Sequence, residues 1–534
     1  GAAGGDAKSG GSSSIGGIMT QEQEQDMKQV QQVVDQAIQG FRSSPDLEKK
    51  KTHLSLLIKL LSRETIDPEP CIDRIIQVGF VKDLTILAGG STKNADLQIQ
   101  AIWCLTNIAS GTTEQTKQVV PACPVLIQSL SGTNSRIKEH AVWALGNIAG
   151  DSEELRNTVI KMGAFLPLCR IMQQAAAAAA KKNNNTNPAL VRTVAWTVSN
   201  MLKGRVLPKA QFYKHPFMES IAALYSCKDD AAILTEISWI STYLTSRDEQ
   251  GTGRIIAAKF DNLVVSVLNK DTPTALAIPA LRTIGNMLAY NDSFNSTVLS
   301  RNGKPILSAL AACLKQEKHR GLAKESIWVI GNILAGPTNH VKAVLDGGFI
   351  PVLAKILNSG QFDLQREAVY ALLNAMRESQ KVKAFPKLIP ALVKEGKIVN
   401  PVLRLLKIDD PDCIKACLNM LEVVLAQGKD YVSLVEEANG IECLEHVHLH
   451  PNRALWDHAH FLVDKYWGED VDYGPEEKAA AAAAAADPMD YPVWRLGAQQ
   501  QQQAQQPQQQ LPFGLSNNGS NSSSNNHQPR FDFG

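Results

Sequence analysis

An aromatic residue with Asn four places later returns along this chain every forty-odd residues, and no other feature constrains the fold as much. The instances are Trp103/Asn107, Trp143/Asn147, Trp196/Asn200, Trp328/Asn332 and Tyr370/Asn374, with Trp239/Tyr243 and Arg282/Asn286 filling the gap between the third and the fourth. Successive first positions lie 40, 53, 43, 43, 46 and 42 residues apart. At 534 residues the chain exceeds one ordinary core, so it must be several domains or a stack in which each unit touches only its neighbours. Self-similarity at this period decides for the stack.

The period is that of HEAT and armadillo arrays. Its one long step holds a low-complexity insertion, Ala175 to Ala180 followed by Lys181-Lys182-Asn183-Asn184-Asn185, expected in a loop between helices, where added length costs little entropy. Other parts of the unit recur in Gly163-Ala164-Phe165-Leu166-Pro167 and Gly348-Phe349-Ile350-Pro351-Val352-Leu353. There Gly is expected to supply a left-handed turn and Pro to suit the first turn of the next helix. Residues 54–63 read as an early unit, 413–425 as a late one and 435–467 as a terminal cap, the atypical end that keeps an exposed repeat face from aggregating. The division expected is a flexible, linker-like segment at 1–29, a repeat domain at 30–470, and a disordered tail at 471–534 with Ala, Gln and Asn/Ser runs.

Composition narrows the function. Lys plus Arg (54) nearly cancels Asp plus Glu (53), so the basic footprint of a nucleic-acid binder is missing. Hydrophobic residues make up 44%, but no apolar run approaches a membrane span, and no membrane insertion is expected. The nine Cys are scattered through apolar stretches without a C-x-x-C pair, which suits reduced core thiols in the cytosol or nucleus. The chain carries no P-loop, HExxH or GxSxG, and His446, His448 and His450 lack a second ligand cluster. Neither catalysis, nor a cofactor, nor a metal is expected.

Residues i and i+4 share a helix face, so each pair projects an aromatic ring and an amide in one direction. Stacked repeats turn the pairs into two ladders. The Asn amides can bond the main chain of an extended peptide without reading its sequence, while neighbouring Trp rings wall slots for the methylenes of Lys or Arg. Cation–π attraction adds about 0.5–2 kcal/mol per slot. A single Trp at helical spacing is more often core. A polar partner recurring beside it points instead to a binding surface, because repeated burial of Asn carries a repeated desolvation cost.

The ladder motifs carry a specific resemblance. Trp103-Cys104-Leu105-Thr106-Asn107-Ile108-Ala109-Ser110-Gly111-Thr112 and Ala141-Val142-Trp143-Ala144-Leu145-Gly146-Asn147-Ile148-Ala149-Gly150-Asp151 resemble the second and third armadillo repeats of importin-α. Val194-Ala195-Trp196-Thr197-Val198-Ser199-Asn200 is similar to the fourth, and Glu325-Ser326-Ile327-Trp328-Val329-Ile330-Gly331-Asn332 to the seventh, with the match covering roughly residues 30–470. The resemblance implies an all-α fold, a right-handed superhelical solenoid of about ten armadillo repeats. It implies a nuclear import adaptor that binds mono- and bipartite Lys/Arg-rich nuclear localisation signals in a concave groove and shuttles between cytoplasm and nucleus.

The major peptide site would then use Trp103, Asn107, Trp143, Asn147, Trp196 and Asn200, with Gly111, Thr116 and Asp151 where the family holds one obligatory Lys. A carboxylate, a hydroxyl and a carbonyl saturate the three donors of an ammonium. The minor site would use Asn286, Trp328, Asn332, Tyr370 and Asn374, with Glu325 and Glu367 three residues before an aromatic. Arg282 stands in the aromatic place of its unit, where a cation repels Lys and Arg, so it should separate the sites or bind an acidic or carbonyl group.

The implied partners are cargo peptides, importin-β, and an export factor of the CAS type meeting the terminal repeats around Glu436 and Glu437; no direct nucleic-acid contact is implied. The basic autoinhibitory arm that binds importin-β in the family is not evident, since residues 19–39 are acidic and Gln-rich. A truncated chain with an open groove, monomeric, is expected; the alternative is a natural family member without the arm, for which coupling to importin-β would not follow. His140 stands where the family usually has Gln, Tyr370 where it has Trp, and Ser246 where an acid is common. His140 lies three residues before Trp143, so its protonation predicts weaker capture as pH falls toward 6. The competing reading is an armadillo scaffold or assembly protein for other peptide partners. A β-catenin-like scaffold for acidic partners would carry Lys and Arg in place of the Trp/Asn ladder.

Overall fold

The computed structural model describes residues 21–62, 68–181, 187–203, 217–226, 230–246, 249–315, 319–383 and 385–468. Expectations for residues 1–20, for 182–186 in the insertion and for the tail at 471–534 lie outside them. Among the described residues all regular structure is helical, and no helix is long and apolar enough to cross a membrane. They fall into two compact units that meet in sequence at Pro167 and Leu168.

In the first unit the helices Leu47–Leu61, Ala95–Ile108 and Ser135–Asp151 stand in succession, each packed on the next, with shorter helices between them. In the second the same role falls to Pro188–Leu202, Ala231–Thr245, Thr274–Tyr290, Arg320–Leu334, Phe362–Val382, Pro411–Leu425 and Arg453–Trp467. Every aromatic/Asn pair lies on one of these helices. Three and seven such helices agree with about ten units expected from the period.

Local chemistry starts the ladder helices in a common way. Asn94, Asn134, Asn187, Asp230 and Asn452 each precede a ladder helix and accept backbone N–H groups of its first turn on the side-chain oxygen. Such a cap stabilises a helix by about 1 kcal/mol. The connecting turn also repeats. Gly348 takes φ 72° at the entry to Phe349–Leu357, and Gly163 φ 91° just before Phe165–Ala180, the left-handed turns expected. Pro167 and Pro351 are each the third residue of the helix that follows, where no intrahelical N–H is required. Phe80, Phe165, Phe260 and Phe349 open helices at equivalent places in the repeat and are buried, each contributing about 2–3 kcal/mol of apolar burial.

Two boundaries differ from the sequence reading. The Ala run does not enter a loop: Ala175 to Ala180 complete the helix Phe165–Ala180, and Ala175 and Ala176 are buried. Alanine has the highest helix propensity, so a run of it extends a helix already nucleated. The first helix, Gln21–Ser43, begins inside the segment read as linker-like. Its Val34, Ala37, Ile38 and Phe41 are buried at helical spacing. All eight described cysteines are free and buried, and burial pushes the Cys123 thiol up to about 12.

Candidate peptide-binding ladder

In the first unit the helices of Trp103 and Trp143 bring together Trp103, Asn107, Gly111, Thr116, Trp143, Asn147 and Asp151, the greater part of the expected major site. Asn147 is buried, and its Nδ2 donates to the Thr106 carbonyl at 3.0 Å while its Oδ1 has no partner. One amide hydrogen is thus committed to holding the repeats in register, and the second amide hydrogen and the Oδ1 acceptor remain. Asn107 is half-buried and its Nδ2 is unpartnered.

The slot between the two indoles is not empty. The His140 ring lies 5.4 Å from Trp103 and 6.3 Å from Trp143, tilted by 30° and 21°. Withdrawn from water between the rings, and with Arg136 one turn away, His140 is held down to about 4. It is therefore neutral at pH 6, and the expected loss of capture through its protonation does not hold.

At the end of this stripe Asp151 closes the helix Ser135–Asp151. Its Oδ1 accepts from Thr113 Oγ1 at 3.4 Å, while its Oδ2 is buried without a partner. Burial raises the carboxyl above its ordinary value, with the Thr113 and Ser152 hydroxyls pulling it back. A carboxylate at the negative end of a helix is unfavourable until a cation joins it. Thr116, fully buried, donates to the Ala109 carbonyl at 3.2 Å, which orients its remaining lone pairs.

Trp196 and Asn200 belong to the second unit, half-buried on Pro188–Leu202. The neighbouring Ser199 donates to Glu236 Oε2 at 2.8 Å. Burial pushes Glu236 up to about 7, the Ser199 hydroxyl drawing it part of the way back. Trp239 stacks on Tyr243 at 5.9 Å, and the Arg282 guanidinium sits 5.6 Å above the Trp239 ring. Arg282 Nη2 and Nε bond Glu325 Oε1 at 2.6 and 2.9 Å in a buried pair. The acid that Arg282 was expected to bind is therefore Glu325 itself. Glu325 is not an exposed carboxylate, and its Oε2 is buried without a partner.

The Asn ladder repeats the register of the first unit. Asn286, Asn332 and Asn374 donate to the carbonyls of Thr242, Gly285 and Gly331 at 3.2, 3.1 and 3.1 Å. Each acceptor immediately precedes the ladder residue of the preceding helix: Tyr243, Asn286 and Asn332. Trp328 and Tyr370 are buried, and so is Glu367, with Arg366 3.8 Å away. The second unit thus gathers all eight expected minor-site residues, Arg282, Asn286, Glu325, Trp328, Asn332, Glu367, Tyr370 and Asn374, on three successive helices.

A sequence profile of the armadillo/β-catenin-like repeat matches residues 112–150. Among curated proteins, importin subunit alpha-9 of Arabidopsis thaliana is 31% identical over 447 residues, covering 82% of this chain and 83% of the relative. Importin subunit alpha-2 of Oryza sativa subsp. japonica is 33% identical over 443 residues, covering 81% and 80%.

This chain belongs to the importin-α family.

Importin subunit alpha-3 of Arabidopsis thaliana is a further relative, 32% identical over 470 residues, covering 85% of this chain and 84% of its own length. The crystal structure of an engineered protein has the same fold, with a TM-score of 0.66 at 22% identity over 81% of this chain and 97% of the other. The coarse role that goes with the family is that of a non-enzymatic nuclear import adaptor. Two ladder-face groups escaped the sequence reading of this importin-α. Glu236 stands three residues before Trp239, as Glu325 and Glu367 stand before Trp328 and Tyr370, so that offset could have found it. The Thr113 hydroxyl on Asp151 carried no sequence signal, since the pair lies 38 residues apart on neighbouring repeats.

Proposed function

We propose that this importin-α captures Lys/Arg-rich nuclear localisation signals, mono- and bipartite, on the aromatic/Asn ladder, and that importin-β carries the loaded adaptor. The observation that carries the reading is the stripe Trp143, Asn147, Asp151, which ends in a buried carboxylate oxygen without a partner. An ammonium seated there gains Asp151 Oδ2 as acceptor, with the Thr116 hydroxyl and Gly111 carbonyl completing its shell. The unpartnered Oδ1 of Asn147 accepts a peptide N–H, and the rings of Trp103 and Trp143 flank the lysine stem. His140 must yield its place between them or serve as the floor of the slot.

Within the second unit Trp196 and Asn200 offer peptide contacts of their own, and Asn286, Trp328, Asn332, Glu367, Tyr370 and Asn374 make the minor site. Arg282 and Glu325 shape the minor site as a neutral pair, so neither repels nor attracts a basic peptide strongly. An export factor of the CAS type meets the terminal repeats; Glu436 and Glu437 are exposed on the helix Lys429–Glu437, which supports that placement. The chain is a monomer that shuttles between cytoplasm and nucleus, with residues 30–470 as the working domain.

The test is fluorescence anisotropy with a Lys-rich monopartite peptide against the native chain and Asp151→Lys. Binding at nanomolar to low-micromolar concentration, abolished by the substitution, is expected. Binding that survives Asp151→Lys overturns the assignment of the major site.

A further inference from the structure

The lysine seat of the first unit has a counterpart in the second that no residue named above accounts for. Relative to the aromatic ladder, Gly111 and Thr113 lie 8 and 10 residues after Trp103, and Asp151 lies 8 after Trp143. At the same offsets from Trp328 and Tyr370 stand Gly336, Thr338 and Glu378. The equivalence is spatial as well as numerical. Thr338 Oγ1 donates to Glu378 Oε1 at 2.5 Å, as Thr113 Oγ1 donates to Asp151 Oδ1 at 3.4 Å. The helices that carry the carboxylates are clipped in the same register, Asn374 to the Gly331 carbonyl and Asn147 to the Thr106 carbonyl. Tyr370, Asn374 and Glu378 therefore form the same i, i+4, i+8 stripe as Trp143, Asn147 and Asp151.

Glu378 is half-buried, and Thr338 is its only protein partner among the described residues. No described cation neutralises it. Arg377, next along the helix, acts on Glu422 of the following repeat. The seat differs from the first in one respect: Val341, buried, replaces Thr116, so the hydroxyl that completes the shell there is missing here. It offers one fewer acceptor and is the weaker of the two.

We infer that Glu378, oriented by Thr338, is a second cation seat, taking a Lys or Arg side chain from the upstream cluster of a bipartite signal. The inference rests on the proposed function and extends the minor site beyond Glu325, committed to Arg282, and Glu367, which is almost wholly buried. It makes the minor site selective for a charged residue one turn beyond the Asn374 contact.

The experiment is anisotropy with two labelled peptides: a bipartite basic peptide, and the same peptide with its upstream basic pair replaced by Ala-Ala. Glu378→Gln, nearly isosteric, should weaken the bipartite peptide roughly fivefold, and that loss should vanish with the Ala-Ala peptide. Thr338→Val should lose less. Glu378→Lys should bind a bipartite peptide whose upstream pair is Glu-Glu more tightly than the native chain does, a gain that misfolding cannot produce. If the native chain binds the bipartite peptide and Glu378→Gln binds it within about twofold, the seat is overturned while the ladder reading stands. If the native chain binds no basic peptide at micromolar concentration, the ladder reading falls and the seat with it.

Discussion

Asn332 Nδ2 donates to the carbonyl of Gly285 at 3.1 Å, across 47 residues of sequence, and the Trp328 ring from the same helix lies over the α-carbon of that glycine. One helix thus fixes its neighbour by a polar clip and an aromatic lid at a single residue. Asn332→Ala removes the inter-repeat donor, leaving the Gly285 carbonyl with its intrahelical bond alone, and empties the buried space of the amide. The expected cost is about 1–3 kcal/mol. Because a solenoid transmits stability through neighbour interfaces, the loss should centre on the helices Thr274–Tyr290 and Arg320–Leu334. Hydrogen exchange should rise there first; uniform exchange with an unchanged urea midpoint would contradict the clip.

Gly285 itself has no room for a side chain. A Cβ built on it meets Trp328 ring atoms at 2.1 and 2.6 Å, and the ring is walled in by burial. Gly285→Ala should destabilise by about 1–3 kcal/mol through overpacking. It should also displace the Trp328 ring, which a red shift in tryptophan emission would report; a melting curve and spectrum identical to the native chain would contradict this.

The period and the element type could be read in the sequence, because an aromatic and Asn four apart share one stripe whatever surrounds them. That the stripe would be largely buried could not be read: Asn147, Asn286, Asn332 and Asn374 all are, contrary to the desolvation argument for an open surface. Nor could the fate of each amide hydrogen. Asn332 reaches Gly285 only because of the register between two repeats, and no local pattern encodes that register. The same holds for Arg282 and Glu325, which lie 43 residues apart yet share a buried bond. Each was assigned to the peptide site on its own helix face, while their mutual attraction was invisible. The Ala run was misread for a different reason: low complexity suggested a loop, and the neighbouring helix had already supplied the nucleus that alanine extends.

The Arg282–Glu325 pair gives a third prediction. Glu325→Gln leaves the Arg282 charge buried under Trp239 with only a neutral acceptor. The expected penalty is about 3–5 kcal/mol, typical of breaking one side of a buried pair. The double variant Arg282→Met with Glu325→Met should recover most of it. A double-mutant cycle in urea checks this; additive losses would mean that the two groups do not act as a pair.

On the function proposed above, Glu236 should make capture of a basic peptide depend on pH. In the free chain burial pushes its carboxyl up to about 7, so near neutrality it is only partly ionised. A bound Lys or Arg favours the charged form and lowers its proton affinity, so binding releases a proton. Linkage sets the sign: affinity rises with pH up to about 7, levels above it, and falls by as much as about tenfold per unit below. The window lies below the raised value, and the loss appears as pH drops from 8 to 6. Arg282, over the Trp239 ring, stays committed to Glu325 and does not offset it. His140, held down to about 4, contributes nothing in this range. Anisotropy titrations at pH 8, 7 and 6 should show the decline in the native chain and in His140→Gln, and a flat profile in Glu236→Gln. A decline that persists in Glu236→Gln and disappears in His140→Gln would return the pH response to the histidine.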